Sequence, residues 1–210
     1  MTSAERDAVR ELVHDALPFR SALVLGDIDD QDARIVHAEA PSAMVHHHGD
    51  FERMPLPFAP GAIDLVLMSH VLERTRELFW VMHELCRVLP VGGSLVLSVA
   101  NLASASNRAR LLLGRQPTAI RARSTQLRAF TWPELAQLVD GAFPSGLRIA
   151  RTLGTGLEPL PGIVAARIAK RVPTLAETLH LRWVKQREYH RELLAMAEAL
   201  DLHGEFFLGR

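Results

Sequence analysis

The chain alternates short apolar runs with amphipathic segments, and this alternation limits the fold more than any other feature. Two of the runs, LVLM (residues 65–68) and SLVLSV (residues 94–99), are almost continuously apolar. Strands of a parallel sheet are buried on both faces and produce such runs. Strands that alternate with helices are typical of a mostly parallel sheet covered by helices. The sequence therefore predicts an α/β fold with helices flanking the sheet.

Apolar spacing and chain breakers predict the individual elements. We expect strands over residues 21–27, 33–40, 43–50, 63–72, 94–101 and 147–154. We expect helices over residues 4–16, 75–89, 107–114 and 130–143. From Pro173 to Leu202 an apolar stripe predicts two more helices. The chain would then consist of an α/β domain over residues 1–160 and a helical C-terminal extension over residues 161–210 that packs on it.

Composition excludes several classes of protein. Lys and Arg together number 24, as do Asp and Glu, so the formal net charge is zero and there is no nucleic-acid signature. The single cysteine, Cys86, cannot form an internal disulfide, which favours a reducing compartment. No apolar run approaches the roughly 18 residues of a membrane-spanning helix. The first residues carry mixed charge, unlike a signal peptide. We therefore expect a cytoplasmic protein without a membrane span.

Candidate site residues follow the predicted strands. In parallel sheets, ligands bind beyond the carboxyl ends of the strands. The residues at those ends are therefore the candidates for ligand binding. They are Gly26, Asp27, Glu39, Asp50, Phe51, Ser69 and His70.

Four segments, in order along the chain, resemble the small-molecule, type 11-like branch of class I S-adenosylmethionine (SAM)-dependent methyltransferases. They are GDFERMPLPF, IDLVLMSHVLER, ELCRVLPVGGSLVLSVAN and FTWPELAQLVDGAF. The resemblance implies a Rossmann-like fold, SAM as cofactor and methyl transfer to a small, lipid-like or anionic acceptor. Among the candidates, Asp50 would accept a hydrogen bond from the adenine amino group and Glu39 from the ribose hydroxyls. Each of these two acids could instead form a turn or cap a helix.

The segment ALVLGDIDD departs from the family's glycine-rich loop, Asp-x-Gly-x-Gly-x-Gly. If Gly26 takes the first glycine position, Val24 replaces the acid, and Ile28 and Asp30 replace the next two glycines. Acidic side chains would then face the carboxylate of the cofactor, an unfavourable arrangement of like charges. This departure supports an alternative function: an inactive methyltransferase-fold protein that serves as a partner or regulatory subunit. Such a protein would form homo- or hetero-oligomers through its C-terminal helices.

The chain between Gly26 and Asp50 is also short. About 24 residues separate them, whereas the family uses roughly 40 for three strands and two crossover helices. Two explanations are open. Either the first crossover helix is lost, or one of the apolar runs is not a parallel strand.

Histidines and arginines supply the remaining candidates. His46 and His48 would share one face of a strand, but two imidazoles without a carboxylate or thiolate partner make a poor metal site, so we predict no metal. His70 is a candidate general base at a strand end, or a histidine that only lines the cleft. Residues 102–133 contain six arginines and no acid. This segment is either a solvated face or a cap that favours an anionic acceptor.

Overall fold

Six strands form a single sheet in the computed structural model, which describes residues 1–26, 30–49, 51–118, 120, 125–139, 145–157, 167–169 and 171–199. The strands are β1 Ser21–Leu25, β2 Met44–His48, β3 Leu65–Ser69, β4 Ser94–Ala100, β5 Leu147–Thr155 and β6 Thr178–Lys185. The helices are α1 Ser3–His14, α2 Gln31–Glu39, α3 Leu78–Val88, α4 Ala105–Leu112, α5 Trp132–Gln137 and α6 Glu192–Ala199. A 3₁₀ turn spans Pro173–Leu175.

The strand order is β2-β1-β3-β4-β6-β5, and the sheet is mostly parallel. The strands β2, β1, β3 and β4 pair in parallel, whereas β6 runs antiparallel to both β4 and β5. Helices cover the sheet, so the prediction of a Rossmann-like α/β fold is confirmed. The carboxyl ends of β1, β2, β3 and β4 therefore lie at one edge of the sheet, which we call the carboxyl edge.

Helices pack on both faces of the sheet. On one face, α1 and α2 bury Val9, Leu12 and Val36 against strand residues such as Val24 and Leu67. On the other face, the core includes α3 and α5 residues such as Leu85 and Leu135 packed with the strands. None of the helices within the described residues has the length and apolar character of a membrane-spanning segment.

The expectation of a strand over residues 33–40 is wrong, because Gln31–Glu39 is α2. This helix buries Asp32, Ala33 and Val36, which have helical spacing, and leaves Arg34 exposed. It is the crossover between the parallel neighbours β1 and β2. Of the two explanations for the short spacing, the second is therefore correct. Gly26 to Gly49 holds one helix and one strand after β1, where the family pattern led us to expect two of each.

The expectation of two helices beyond Pro173 is also wrong, because Thr178–Lys185 is the strand β6. It lies inside the sheet between β4 and β5 and is buried on both faces. Residues 178–185 therefore complete the sheet, and among the described residues beyond them Glu192–Ala199 is helical, as expected. Much of the predicted apolar stripe is buried within the chain, including Leu179, Trp183, Leu193 and Leu194.

Candidate functional site

A cleft of about 480 Å³ opens at the carboxyl edge, beyond the ends of β1 and β2. Parallel pairing aligns Leu25 with His48, so both strands end at the same level. Pockets of this size that combine apolar walls with a few polar groups are typical of small-molecule sites. The cleft is lined by Gly26, His47, His48, Gly49, Phe51, Glu52, Val71, Arg74 and Thr75.

Gly26 forms the part of the cleft directly after β1. Its φ of 68° lies in the left-handed region, which side chains other than glycine rarely adopt. A Cβ at this position would lie 2.7 Å from Cγ2 of Val71, in the segment that follows β3. Only glycine therefore fits between the end of β1 and Val71. Two predicted cofactor contacts, Asp27 and Asp50, and Ile28 of the loop lie outside the described residues.

Asp30 marks the end of the loop and the start of α2. It has a φ of 53°, so an acidic residue occupies a left-handed conformation that glycine would favour. The sequence comparison placed the third glycine of the family loop at this position. Its backbone conformation fits a glycine position although its side chain does not.

The opposite part of the cleft follows β2. Phe51 is buried and belongs to the same core cluster as Val71. At Gly49 an added Cβ would meet no atom within 4 Å, so the wall there is open. His48 contributes a buried Nε2 that has no hydrogen-bond partner within the described residues. A ligand in the cleft would thus meet the apolar side chains of Phe51 and Val71 and the ring of His48.

His70 follows β3 and lies between two carboxylates. Its Nδ1 is 3.3 Å from Oε1 of Glu73, and its Nε2 is 3.6 Å from Oε1 of Glu5. Glu73 is fully buried and also accepts a hydrogen bond of 2.6 Å from the backbone N–H of Ala100. Glu5 comes from the first turn of α1 and accepts a 2.9 Å hydrogen bond from the Thr178 hydroxyl. The three side chains join α1 to the ends of β3 and β4.

Electrostatics keep His70 charged. Burial alone would lower the pKa of His70, but its interactions with Glu5 and Glu73 outweigh burial and raise the pKa to about 9. The interaction with His70 in turn holds the pKa of Glu5 well below its usual range. A histidine that is protonated at neutral pH cannot accept a proton. The geometry therefore makes His70 an ion-pair partner and does not support the predicted role of general base.

Known proteins share this architecture. Residues 10–97 match the family model of the methyltransferase domain. Over these residues, somewhat less than half of the chain, it is similar to the methyltransferase domain family, and its fold is that of SAM-dependent methyltransferases.

Two methyltransferases of Mycobacterium leprae are each 40% identical over 72 residues, which is 33% of this chain and 26% of the relative. The match thus spans about a quarter of the length of these curated relatives. Among solved structures, a SAM-dependent methyltransferase of Thermotoga maritima superposes with a TM-score of 0.57 at 15% identity, covering 86% of this chain and 89% of that one. A SAM-dependent methyltransferase of Methanosarcina mazei gives 0.52 at 16% identity, covering 84% and 98%.

Two of the predicted cofactor contacts, Glu39 and Ser69, are not among the residues that line the cleft. Glu39 is at the C-terminal end of α2, so it lies near the start of β2 and at the opposite edge of the sheet. It pairs with His14 at 2.9 Å and with Arg10 at 3.6 Å, both on α1. Ser69 donates a 2.9 Å hydrogen bond from its hydroxyl to Oδ1 of the buried Asp32. Both residues thus form contacts with other elements of the fold.

His46, which was predicted to share a strand face with His48, packs against another side chain of the fold. The ring of His46 packs edge-on against Phe58, with 4.9 Å between the ring centroids. Within the described residues, no three His, Cys, Asp or Glu side chains group in a way that could hold a metal ion.

A second cavity of about 210 Å³ lies at the end of β4 of the methyltransferase fold, and sequence reasoning missed it. It is lined by Ala100, Asn101, Asn107, Thr118, Gln126, Glu177 and Thr178. Glu177 accepts a 3.1 Å hydrogen bond from the Ser104 hydroxyl through Oε2, while its buried Oε1 has no partner among the described residues. Only Asn101 stood at a predicted strand end. Glu177 was hidden because its segment was expected to be helical.

Proposed function

We propose that the chain is a SAM-dependent methyltransferase that binds SAM in the cleft after β1 and β2 and methylates a small or anionic acceptor. The observation that carries this proposal is Gly26. A side chain at Gly26 would collide with Val71, and Gly26 directly follows β1, at the end of a parallel strand where ligands of such sheets approach the backbone. The chain would act in a reducing cytoplasm, where its buried Cys86 stays reduced.

The cleft fits the parts of SAM as follows. Phe51 and Val71 offer apolar surface to the adenine ring, and Gly26 leaves room for the chain that leads to the sulfonium. The ring of His48, which lines the cleft, can hydrogen-bond to a ribose hydroxyl, since ring nitrogens donate or accept according to tautomer. Asp50, the next residue but one, stays the proposed partner of the adenine amino group. Arg74 can balance the cofactor carboxylate, which offsets the acids of the loop.

When bound, SAM would supply an electrophilic methyl group: the acceptor would attack the methyl carbon in line, the bond from sulfur to methyl would break, and S-adenosylhomocysteine would leave. Catalysis of this kind depends mainly on holding two reactants in the correct orientation. The chain's part is therefore to position the acceptor at the end of β4. There, the free Oε1 of Glu177 can accept a hydrogen bond or a proton from an acceptor N–H or O–H group. The arginines that follow β4 would balance a negative charge elsewhere on the acceptor.

Titration calorimetry with SAM tests the proposal. The unmodified chain should bind SAM saturably, and Gly26→Ala should abolish binding because it adds both backbone strain and the contact with Val71. Gly92→Ala is the matched control: Gly92 has a φ of 87° but open space around it, and it lies at the opposite edge of the sheet. It should cost stability and leave SAM binding unchanged. Equal loss of binding in both variants would mean that Gly26 acts only through the fold.

A second candidate is a non-catalytic methyltransferase-fold subunit. The acidic loop and the single strand-helix unit between Gly26 and Gly49 support it, because both reduce the surface available to SAM. The absence of any binding heat at millimolar SAM, from a chain that circular dichroism shows to be folded, would favour this candidate. It would then need a partner surface other than the C-terminal stripe, much of which is buried.

A further inference from the structure

The segment after β4 exposes three consecutive leucines. The exposed fractions are 55% for Leu111, 88% for Leu112 and 70% for Leu113, at the end of α4. We call these three residues the leucine patch. Single exposed leucines are common on protein surfaces, but adjacent ones mark interaction sites. Leu127 of the same segment is also 55% exposed.

Arginines flank the leucine patch. Arg108 and Arg115 are exposed, and Arg110 is half-buried. Arg108 donates from Nε to the carbonyl of Ala103 at 2.7 Å, and Arg110 donates from Nε to the carbonyl of Gln116 at 3.0 Å. Carbonyl partners do not neutralise a guanidinium. Within the described residues, no carboxylate forms an ion pair with these three arginines, and residues 102–133 contain no acid.

The structure fixes the position of α4 through its buried side. Asn107 donates from Nδ2 to the carbonyl of Asn101 at 3.0 Å, and its Oδ1 accepts from the Thr118 backbone at 2.8 Å. Asn107 also lines the second cavity. The leucine patch and its arginines therefore lie on the outer side of α4, which begins just after β4 ends at the carboxyl edge.

We propose that this surface docks on an anionic lipid bilayer. Leucines that enter the acyl boundary, beside arginines that bind lipid phosphates, are the combination used by interfacial helices. Charge complementarity selects this occupant: residues 102–133 contribute six arginines and no acid, and within the described residues the three arginines beside the leucine patch form no ion pair. Docking would bring the end of β4 close to the lipid headgroups. The proposal does not depend on SAM binding.

Co-sedimentation with vesicles tests it, without SAM or acceptor. The full chain should bind vesicles of equal parts phosphatidylcholine and phosphatidylglycerol, and bind pure phosphatidylcholine weakly. Binding should weaken about fivefold for each of the changes Arg108→Gln, Arg110→Gln and Arg115→Gln. Leu112→Asp combined with Leu113→Asp should reduce it by more than about tenfold. High salt should weaken the binding as well, because exposed charges are screened.

Two matched controls separate docking from general effects. Val91→Asp changes an exposed apolar residue beside Gly92, away from the patch, and Arg34→Gln removes an exposed arginine on α2. Both should bind vesicles like the unmodified chain. Equal binding to neutral and anionic vesicles, or unchanged binding by the leucine variant, would overturn the proposal. So would light scattering that shows a dimer lost in the leucine variant while vesicle binding is absent, since the patch would then join two copies of the chain.

Discussion

His70 should make the stability of the fold depend on pH in a defined direction. Its pKa is about 9 in the folded chain and 6.5 as the ordinary value. A raised folded pKa means that the stabilisation is fully present below about pH 6.5 and is lost as the pH rises through 9. The difference between the folded and the ordinary pKa corresponds to about 3 kcal/mol of folding free energy, at roughly 1.4 kcal/mol per pKa unit. Because the side chain is 30% exposed, solvent screening reduces this to about 1–2 kcal/mol.

Urea denaturation at about pH 6 and about pH 9.5, compared between the unmodified chain and His70→Gln, measures this loss. The unmodified chain should lose about 1–2 kcal/mol more than the variant between the two values. Titration of the other groups with shifted pKa values does not produce the same difference between the two proteins. The pKa values of His83 and His180 are lowered to about 4, mainly by burial, so they act at acid pH. Cys86 contributes equally to both proteins. Parallel pH dependences in the two proteins would refute the ion-pair description.

Three further changes test the packing. Lys185→Met should lower the free energy of unfolding in urea by about 1–3 kcal/mol, because the buried Nζ donates to the carbonyls of Cys86 and Leu89 at the end of α3. The control Gln186→Met should change it by less than about 0.5 kcal/mol. Equal losses in the two variants would count against a stabilising role of these two hydrogen bonds. Leu97→Ala should cost about 2–5 kcal/mol and Leu112→Ala almost nothing, and a reversed order would contradict the assigned burial. Cys86, whose pKa burial raises to about 12, should react with a thiol reagent only in urea, and fast labelling of the native chain would refute its burial.

The sequence was sufficient wherever one local pattern decided the structure. The runs that became β3 and β4 are apolar because both faces are buried, and the Gly92-Gly93 turn separates α3 from β4. The prediction of a strand over residues 33–40 was wrong because a nine-residue helix is too short for its period to be told from that of a strand. The strand β6 was predicted as a helix because it contains His180 and Lys185, which mimic the polar face of a helix.

Partners distant in sequence explain those polar residues. His180 is hydrogen-bonded to Ser98 at 2.7 Å and to Thr155 at 2.8 Å, so β4, β5 and β6 share its ring. Glu73 lies three residues from His70 within the segment IDLVLMSHVLER, so their pairing could have been predicted from the sequence. Glu5 is far away in the chain, and no local pattern indicates that α1 brings it to His70. Gly26 and Phe51 line the cleft as predicted candidates of a binding site, and their contact with SAM stays a prediction.

The most direct test of the claim that this cleft binds SAM is a crystal structure of the protein in complex with S-adenosylhomocysteine. Density for the nucleoside is expected in the cleft beyond β1 and β2, passing over Gly26 and between Phe51 and Val71. The adenine amino group should face the segment at Asp50. Density at another site, or a cleft that stays empty at millimolar ligand, would contradict the assignment of this cleft to SAM.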